Sequence, residues 1–298
     1  MMFAMLLAFV QPVCHAFCDT WLSTLMNKMF KSRLSTMFYT QIVTLAVLPL
    51  LFFFGMPTGI GFAPAALLAL AIAMDVFLLL LYYYALKFVD ASVSQALWNF
   101  GDAATPFMGM VLFGEYFSPY AAVGFLMIIA ASIFVAVDDF KRPRLGKGFW
   151  LMLLVAFIFS GWVLLIKAIT GEIGWVNAAF WNKIGMGAAA FLFLSFPRGR
   201  AVISADRPAF KRNIKPFAVY GLFSMLGSFS VMFALGALPL VVREGISGTQ
   251  PFFVLIFAWL FARIGLGGAR EDMKMMPVIK KIVCFTTMLV GLSLLVGF

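Results

Sequence analysis

The chain has 298 residues, of which 64% are hydrophobic and 11% charged, and its formal net charge is +10. This composition excludes an ordinary water-soluble domain, in which about 25% of residues are charged. A mean hydropathy of +1.04 indicates that most of the chain lies in lipid. Unpaired backbone is not tolerated in hydrocarbon, and the apolar runs are too long for barrel strands of about 10 alternating residues. We therefore predict an all-α membrane protein.

Apolar stretches long enough to cross a bilayer, which takes roughly 20 residues, recur along the whole chain. Proline, glycine and charged residues separate them. The ten predicted spans are 3–25, 36–54, 64–86, 92–113, 119–137, 148–167, 175–195, 215–236, 242–262 and 277–297. The N-terminal sequence MMFAMLLAFV contains no charge, so we expect it to begin the first span and not to be a cleaved signal peptide.

The ten predicted spans divide into two groups of five around the basic segment 141–144. An odd number of spans in each half makes the two halves enter the membrane in opposite senses. The predicted architecture is therefore two inverted five-helix repeats, 1–140 and 146–298.

A duplicated segment supports this division. Residues 85–115 and 234–263 each run from an Ala-Leu pair through a small, polar stretch into an aromatic-rich apolar run. Asp102 and Pro251 each lie 17 positions after the start of their copy. The fourth and ninth predicted spans therefore correspond.

Lysine and arginine residues lie almost entirely in the loops that follow odd-numbered spans. The positive-inside rule places these basic loops in the cytoplasm and both termini outside. This distribution accounts for the net charge without a nucleic-acid partner. We expect a multi-pass protein of the inner (cytoplasmic) membrane, monomeric or homodimeric, whose partners are lipids, a small-molecule substrate and protons.

The sequence predicts neither a metal site nor a cofactor site. Cys14, His15 and Cys18 are close in sequence, but two thiols and one imidazole make an incomplete zinc set. We expect these residues and Cys284 to pack between helices. No GxxxxGK[ST] loop is present, so this chain would not drive transport with ATP.

Ionisable residues near span centres are the strongest functional signal, because they cost at least roughly 2.5–3.5 kcal/mol to insert and usually face a cavity. Asp75 is one, with Tyr82 two turns later. Its alternative role is a carboxyl group that bonds a neighbouring helix. On the fourth span, polar residues recur at spacings of three and four, which forms one stripe and favours a substrate site. The stripe comprises Gln95, Trp98, Asn99, Asp102, Thr105 and Pro106.

Two further groups come from the first span and the second half. His15 and Asp19 lie four residues apart after Gln11, and they are either proton-coupling or packing residues. Arg243 and Glu244 open the ninth span; being adjacent on a helix, they are expected to seek different partners and to form a gate, a substrate clamp or an interfacial pair. Lys183 is expected to pair with Asp75, Asp102 or Glu244, or to bind an anion.

These residues define two overlapping predicted sites. The predicted substrate-binding set is Asp75, Tyr82, Gln95, Trp98, Asn99, Asp102, Lys183, Glu244 and Ser247, and the predicted proton-coupling set is Asp102, Asp75, His15 and Asp19.

The segments 84–87 (YALK), 91–93 (ASV) and 114–115 (GE) also carry a family resemblance. At these residues, and in its five-plus-five layout, the chain resembles the ten-helix EamA-like group of the drug/metabolite transporter (DMT) superfamily. The resemblance implies an exporter or exchanger of metabolites with a central cavity built from both repeats. It also implies cytoplasmic termini, whereas the loop charges imply external termini, and both orientations stay open.

The function favoured by the sequence is a secondary transporter of a small polar metabolite, most simply an amino acid or another zwitterion, because the predicted cavity carries both signs of charge. Protonatable Asp75 or Asp102 would couple flux to a proton gradient. One alternative is a quaternary-amine carrier with an aromatic cage formed by Trp98 and tyrosines. A more distant alternative is an intramembrane enzyme acting on lipid-linked substrates. We expect no enzyme activity, since the single histidine and the scattered acids fit catalysis poorly.

Overall fold

The computed structural model describes residues 2–30, 32–89, 91–114, 119–136, 146–264 and 275–296. These residues form helices joined by short connections, with no strand among them. Seven helical stretches in this part of the chain are long and apolar enough to cross a membrane, and an eighth is counted if one bent pair forms a single span. The chain is thus an all-α membrane protein, which confirms the predicted class.

The helices follow one another with few intervening residues. They are α1 (Met2–Ala8), α2 (Val10–Lys28), α3 (Arg33–Val47), α4 (Phe62–Ala85), α5 (Ala91–Phe113), α6 (Ala121–Ala136), α7 (Lys147–Ile173), α8 (Trp175–Leu192), α9 (Pro197–Arg212), α10 (Ile214–Ala237), α11 (Leu240–Ser247), α12 (Gln250–Arg263) and α13 (Met275–Val296). Short 3-10 turns extend α3 through Phe53 and α8 through Ser195. Every predicted span coincides with one of these stretches, while the count of ten membrane crossings stays a prediction.

Helix α9 is the main departure from the expected layout, in which the residues between the predicted spans 175–195 and 215–236 form a basic loop. Phe196 is extended (φ −91°, ψ 129°), as expected for a residue that precedes proline, and Pro197 occupies the first turn of the new helix. The chain bends by 104° between α8 and α9. Basic loops and basic amphipathic helices have similar composition, so hydropathy alone did not separate them.

The ninth predicted span is broken into α11 and α12 at Gly248 and Thr249. Pro251 has no amide hydrogen, so it cannot donate to the carbonyl of Ser247 one turn earlier. The chain closes the break with a tighter bond from the Thr249 amide to the Ile246 carbonyl, 3.1 Å long. This break lies beside the cavity described below.

Helices from the two halves of the sequence interlock. Helices α4 and α5 pack on α7, α2 packs on α10 and α12, α3 packs on α8, and α6 packs on α13. The closest approach of α5 and α7 occurs at Gly101, where a Cβ atom would lie 2.6 Å from the Ala156 carbonyl oxygen. Ser160 Oγ donates to the Gly101 carbonyl oxygen at 3.1 Å across the same contact. The predicted boundary between 1–140 and 146–298 lies outside the described residues.

Candidate functional site

A cavity of about 200 Å³ lies between the helices and is lined by residues of both halves. Its lining includes most of the predicted site residues: Asp75, Tyr82, Trp98, Asn99, Asp102, Lys183, Ser247, His15 and Asp19. Glu244 does not face the cavity but pairs with Arg243, which does. The side chain of Gln95 lies outside the described residues.

Arg243 and Glu244 form a buried ion pair. The Arg243 Nη1 atom lies 2.6 Å from each carboxylate oxygen of Glu244, and the two side chains are 1% and 0% exposed. The expectation that these neighbours would seek different partners was wrong. Two unpaired buried charges are far more unfavourable than the geometry of an adjacent pair, so the long arginine side chain folds back to its neighbour.

Asp102 lies beside this pair and is 2% exposed. Its carboxyl group interacts with Glu244, Arg243 and Ser247, and its Oδ1 atom has no hydrogen-bond partner among the described residues. Two carboxyl groups therefore lie near one guanidinium, which bonds to the carboxylate of Glu244. Pro106 follows Asp102 by four residues and has no amide hydrogen, which frees the Asp102 backbone carbonyl from the helical ladder.

Asp19 lies in the wall of the cavity. Tyr82 donates its hydroxyl to Asp19 Oδ1 at 3.2 Å, and Gln250 Nε2 donates to Oδ2 at 2.8 Å. No hydrogen bond joins Asp19 to His15, four residues earlier on α2, among the described residues. His15 packs instead against Gly227, where a Cβ atom would lie 2.5 Å from the imidazole Cδ2.

Asp75 and Lys183 both line the cavity. Their charges interact, but no ion pair or hydrogen bond joins either side chain to another residue in the described part of the chain. Of the three acids predicted as partners of Lys183, Asp75 is the one whose charge it meets. Both side chains are half-buried. They can therefore respond to a solute or an ion inside the cavity.

The sequence reasoning missed one polar stripe, on α10. Tyr220, Ser224 and Ser228 line the cavity and recur every four residues within an apolar span, a periodicity that was available in the sequence. It also missed Trp162 and Asn182, which line the cavity from α7 and α8. Single polar residues in apolar helices do not reveal the direction they face until the neighbouring helices are known.

The chemistry available to the cavity is binding and proton transfer. Cys14, Cys18 and Cys284 are buried free thiols. Within the described ranges, no three His, Cys, Asp or Glu side chains come together as a metal site would require. The cavity offers carboxyl groups, one ammonium, one guanidinium, one imidazole, one thiol, amides and hydroxyls, with an aromatic wall.

Comparison with known proteins gives a match in fold and none in sequence. No family model matches the sequence, and no curated protein matches it. A chain in a solved crystal structure matches with a TM-score of 0.63 and 12% identity, over 98% of this chain and 95% of that chain. A likeness at that identity concerns the arrangement of helices alone, so the match shows that almost the whole chain adopts a fold already seen in another protein.

Proposed function

We propose that the chain is a secondary transporter of the DMT type that exports or exchanges a small polar metabolite, with an amino acid or another zwitterion as the favoured cargo. The observation that carries this proposal is a cavity whose wall holds Asp75, Asp102 and Asp19 together with Lys183 and Arg243. Ionisable groups inside a membrane protein mark substrate and ion pathways. Groups of both signs suit a solute that carries both charges.

The packing of the helices supports the proposed two-repeat plan. If α2, α3, α4, α5 and α6 correspond to α7, α8, α10, α11–α12 and α13, exchanging the halves converts the α4–α7 contact into the α10–α2 contact. The α5–α7 contact becomes the α12–α2 contact, while α3–α8 and α6–α13 map onto themselves, and all of these contacts are present. Inverted repeats with a site between them are a common transporter plan.

Proton coupling belongs to the same proposal. Asp102 and Glu244 compete for the guanidinium of Arg243, so one carboxyl group in this cluster has no matching charge. Such a group suits exchange between a proton and a cargo. Asp75, His15 and Asp19 line the same cavity and would extend the proton path. We place the protein in the inner membrane with its basic loops in the cytoplasm.

A flux assay tests the function. Purified protein in proteoliposomes is offered a panel of amino acids, amines and nucleotides, with and without a pH gradient. We expect uptake of at least one amino acid, stimulation by the gradient, and loss of that stimulation in Asp102→Asn. Asp206→Asn is the matched control, because Asp206 is buried on α9 outside the cavity and accepts a bond from the Ser32 amide at 3.3 Å. No flux of any panel member contradicts the transporter proposal.

The aromatic wall supports one alternative cargo, a quaternary amine. The rings of Tyr82 and Trp98 meet edge to face at 5.3 Å, and Trp98 and Phe159 do so at 4.9 Å. Aromatic faces attract cations that cannot donate hydrogen bonds. Tetramethylammonium and choline in the same panel distinguish this cargo from an amino acid. Formation of lipid products without flux would favour the intramembrane enzyme.

A further inference from the structure

Five buried polar atoms have no hydrogen-bond partner among the described residues. They are Gln11 Oε1, Asp102 Oδ1, Trp162 Nε1, Asn182 Nδ2 and Arg243 Nε. All five residues line the cavity. Buried polar atoms are nearly always paired, so unpaired atoms that collect around one cavity indicate groups that a bound solute can complete.

The two unpaired acceptors lie at one end of the cavity. Gln11 Nε2 donates to Ser247 Oγ at 3.1 Å, and the Asp102 carboxyl group also interacts with Ser247. Ser247 therefore brings the unpaired oxygens of α2 and α5 together. Glu244 is already bound by Arg243, so Asp102 keeps an unpaired oxygen and forms no ion pair with a described residue. An ammonium group, which donates hydrogen bonds and carries a positive charge, fits this end.

Two of the three unpaired donors lie on α7 and α8, and the third is the Nε atom of Arg243 on α11. Trp162 Nε1 lies on α7 and Asn182 Nδ2 lies on α8. Lys183 follows Asn182, and its ammonium forms no ion pair or hydrogen bond with a described residue. Trp162 belongs to the same hydrophobic cluster as Ala178, one turn before Asn182 on α8. Two neutral donors beside a cation suit a carboxylate, which only accepts hydrogen bonds.

Arg243 lies between the two ends. Its guanidinium stands over the ring of Phe159 at 5.8 Å, and that ring stacks on Trp162 with centroids 5.7 Å apart. The Nη1 atom of Arg243 bonds Glu244 in the acidic cluster, while its Nε atom has no hydrogen-bond partner among the described residues. The acceptor end and the donor end are therefore parts of one continuous site.

We propose that the cavity binds an amino acid in one fixed orientation, with its ammonium group at Asp102 and Gln11 and its carboxylate at Asn182, Lys183 and Trp162. This inference rests on the proposed function for the identity of the cargo, and it adds the direction in which the cargo lies.

Ligand-induced thermal stabilisation of the purified full-length protein in detergent tests the orientation. The common amino acids are screened first, and the one that gives the largest shift is then compared with its decarboxylated amine and its deaminated acid. Asp102→Asn is expected to weaken binding of the amine about tenfold and to leave the acid within about twofold, as for loss of one charge-assisted hydrogen bond. Lys183→Gln is expected to do the reverse.

Two milder variants keep the test decisive if a charge substitution prevents folding. Asn182→Asp replaces the amide donor with an acceptor at nearly constant volume and is expected to weaken only the acid. Gln11→Glu keeps the acceptor oxygen, adds a negative charge and is expected to strengthen binding of the amine. Melting temperatures without ligand show whether each variant is folded.

The outcomes separate this inference from the proposed function. Equal weakening of amine and acid by both charge variants, a reversed pattern, or no shift from any amino acid overturns the fixed orientation. Amino acid flux combined with such a pattern leaves the transporter proposal intact. If the expected binding pattern is found without any flux, the oriented site stands and the transporter proposal is overturned.

Discussion

Removing one of the two carboxyl groups near Arg243 should have a small effect on stability, whereas removing both should have a large one. Arg243 is 1% exposed and pairs with Glu244, and Asp102 lies close enough to interact with it. Loss of one partner from a buried ion pair normally destabilises a protein by about 3–5 kcal/mol, because a charge stays buried without its partner. In Glu244→Gln, Asp102 can take over the guanidinium, so we expect a loss of only about 1–2 kcal/mol.

The double variant removes this replacement. Asp102→Asn alone leaves the ion pair intact and relieves repulsion between two buried acids, so we expect a change within about 1 kcal/mol. The double variant leaves the Arg243 guanidinium alone and is expected to lose the full ~3–5 kcal/mol. The coupling energy between the two sites is then about 2 kcal/mol, far outside the additivity found for independent sites.

Thermal unfolding of the purified protein in detergent, followed by tryptophan fluorescence, measures this coupling. At about 2–4 °C per kcal/mol for a chain of this size class, the double variant should melt roughly 6–20 °C below the unsubstituted protein. Glu244→Gln combined with Asp206→Asn is the matched control and should be additive, because Asp206 lies on α9. A double variant whose melting temperature falls only by the sum of the two single effects would refute the shared-guanidinium argument.

Two glycine substitutions test the packing around the cavity by the same unfolding measurement. Gly227→Ala places a Cβ atom 2.5 Å from the His15 ring, so we expect the melting temperature to fall by about 2–8 °C. Gly236→Ala on the same helix is the control. Its Cβ atom would meet its nearest neighbour at 3.5 Å, so this substitution should be neutral or stabilising. Gly101→Ala places its Cβ atom 2.6 Å from the Ala156 carbonyl oxygen, and since backbone cannot yield as a side chain can, we expect a fall at least as large. A neutral result for either Gly227→Ala or Gly101→Ala, with Gly236→Ala as the reference, would contradict the helix contacts described.

Periodicity in the sequence was sufficient to group residues on one helix face. Trp98, Asn99 and Asp102 were predicted to share a polar stripe, and all three line the cavity. The helical class followed from composition, because hydrocarbon leaves the backbone few alternatives. Both inferences use only interactions within a helix or between a helix and its solvent.

Contacts between residues far apart in the sequence could not be predicted from periodicity or composition. The bond from Gln250 to Asp19 joins residues 231 positions apart, and nothing in either local sequence indicates the other. The Arg243–Glu244 pair was mispredicted for a related reason: helical spacing argues against it, and only the burial of both groups makes it favourable. The roles of these residues in transport remain predictions that the flux assay addresses.

The right-angled junction between α8 and α9 restricts how Lys183 can move. Helix α9 docks on α3 through the Tyr39 hydroxyl, which donates to the Ile203 carbonyl at 2.8 Å, and it exposes Arg198, Arg200 and Lys211. Sliding α8 along its own axis would pull α9 from its support on α3, because the two helices are joined directly at Phe196. The displacements left to Lys183 are therefore tilt and rotation of α8 about Phe196.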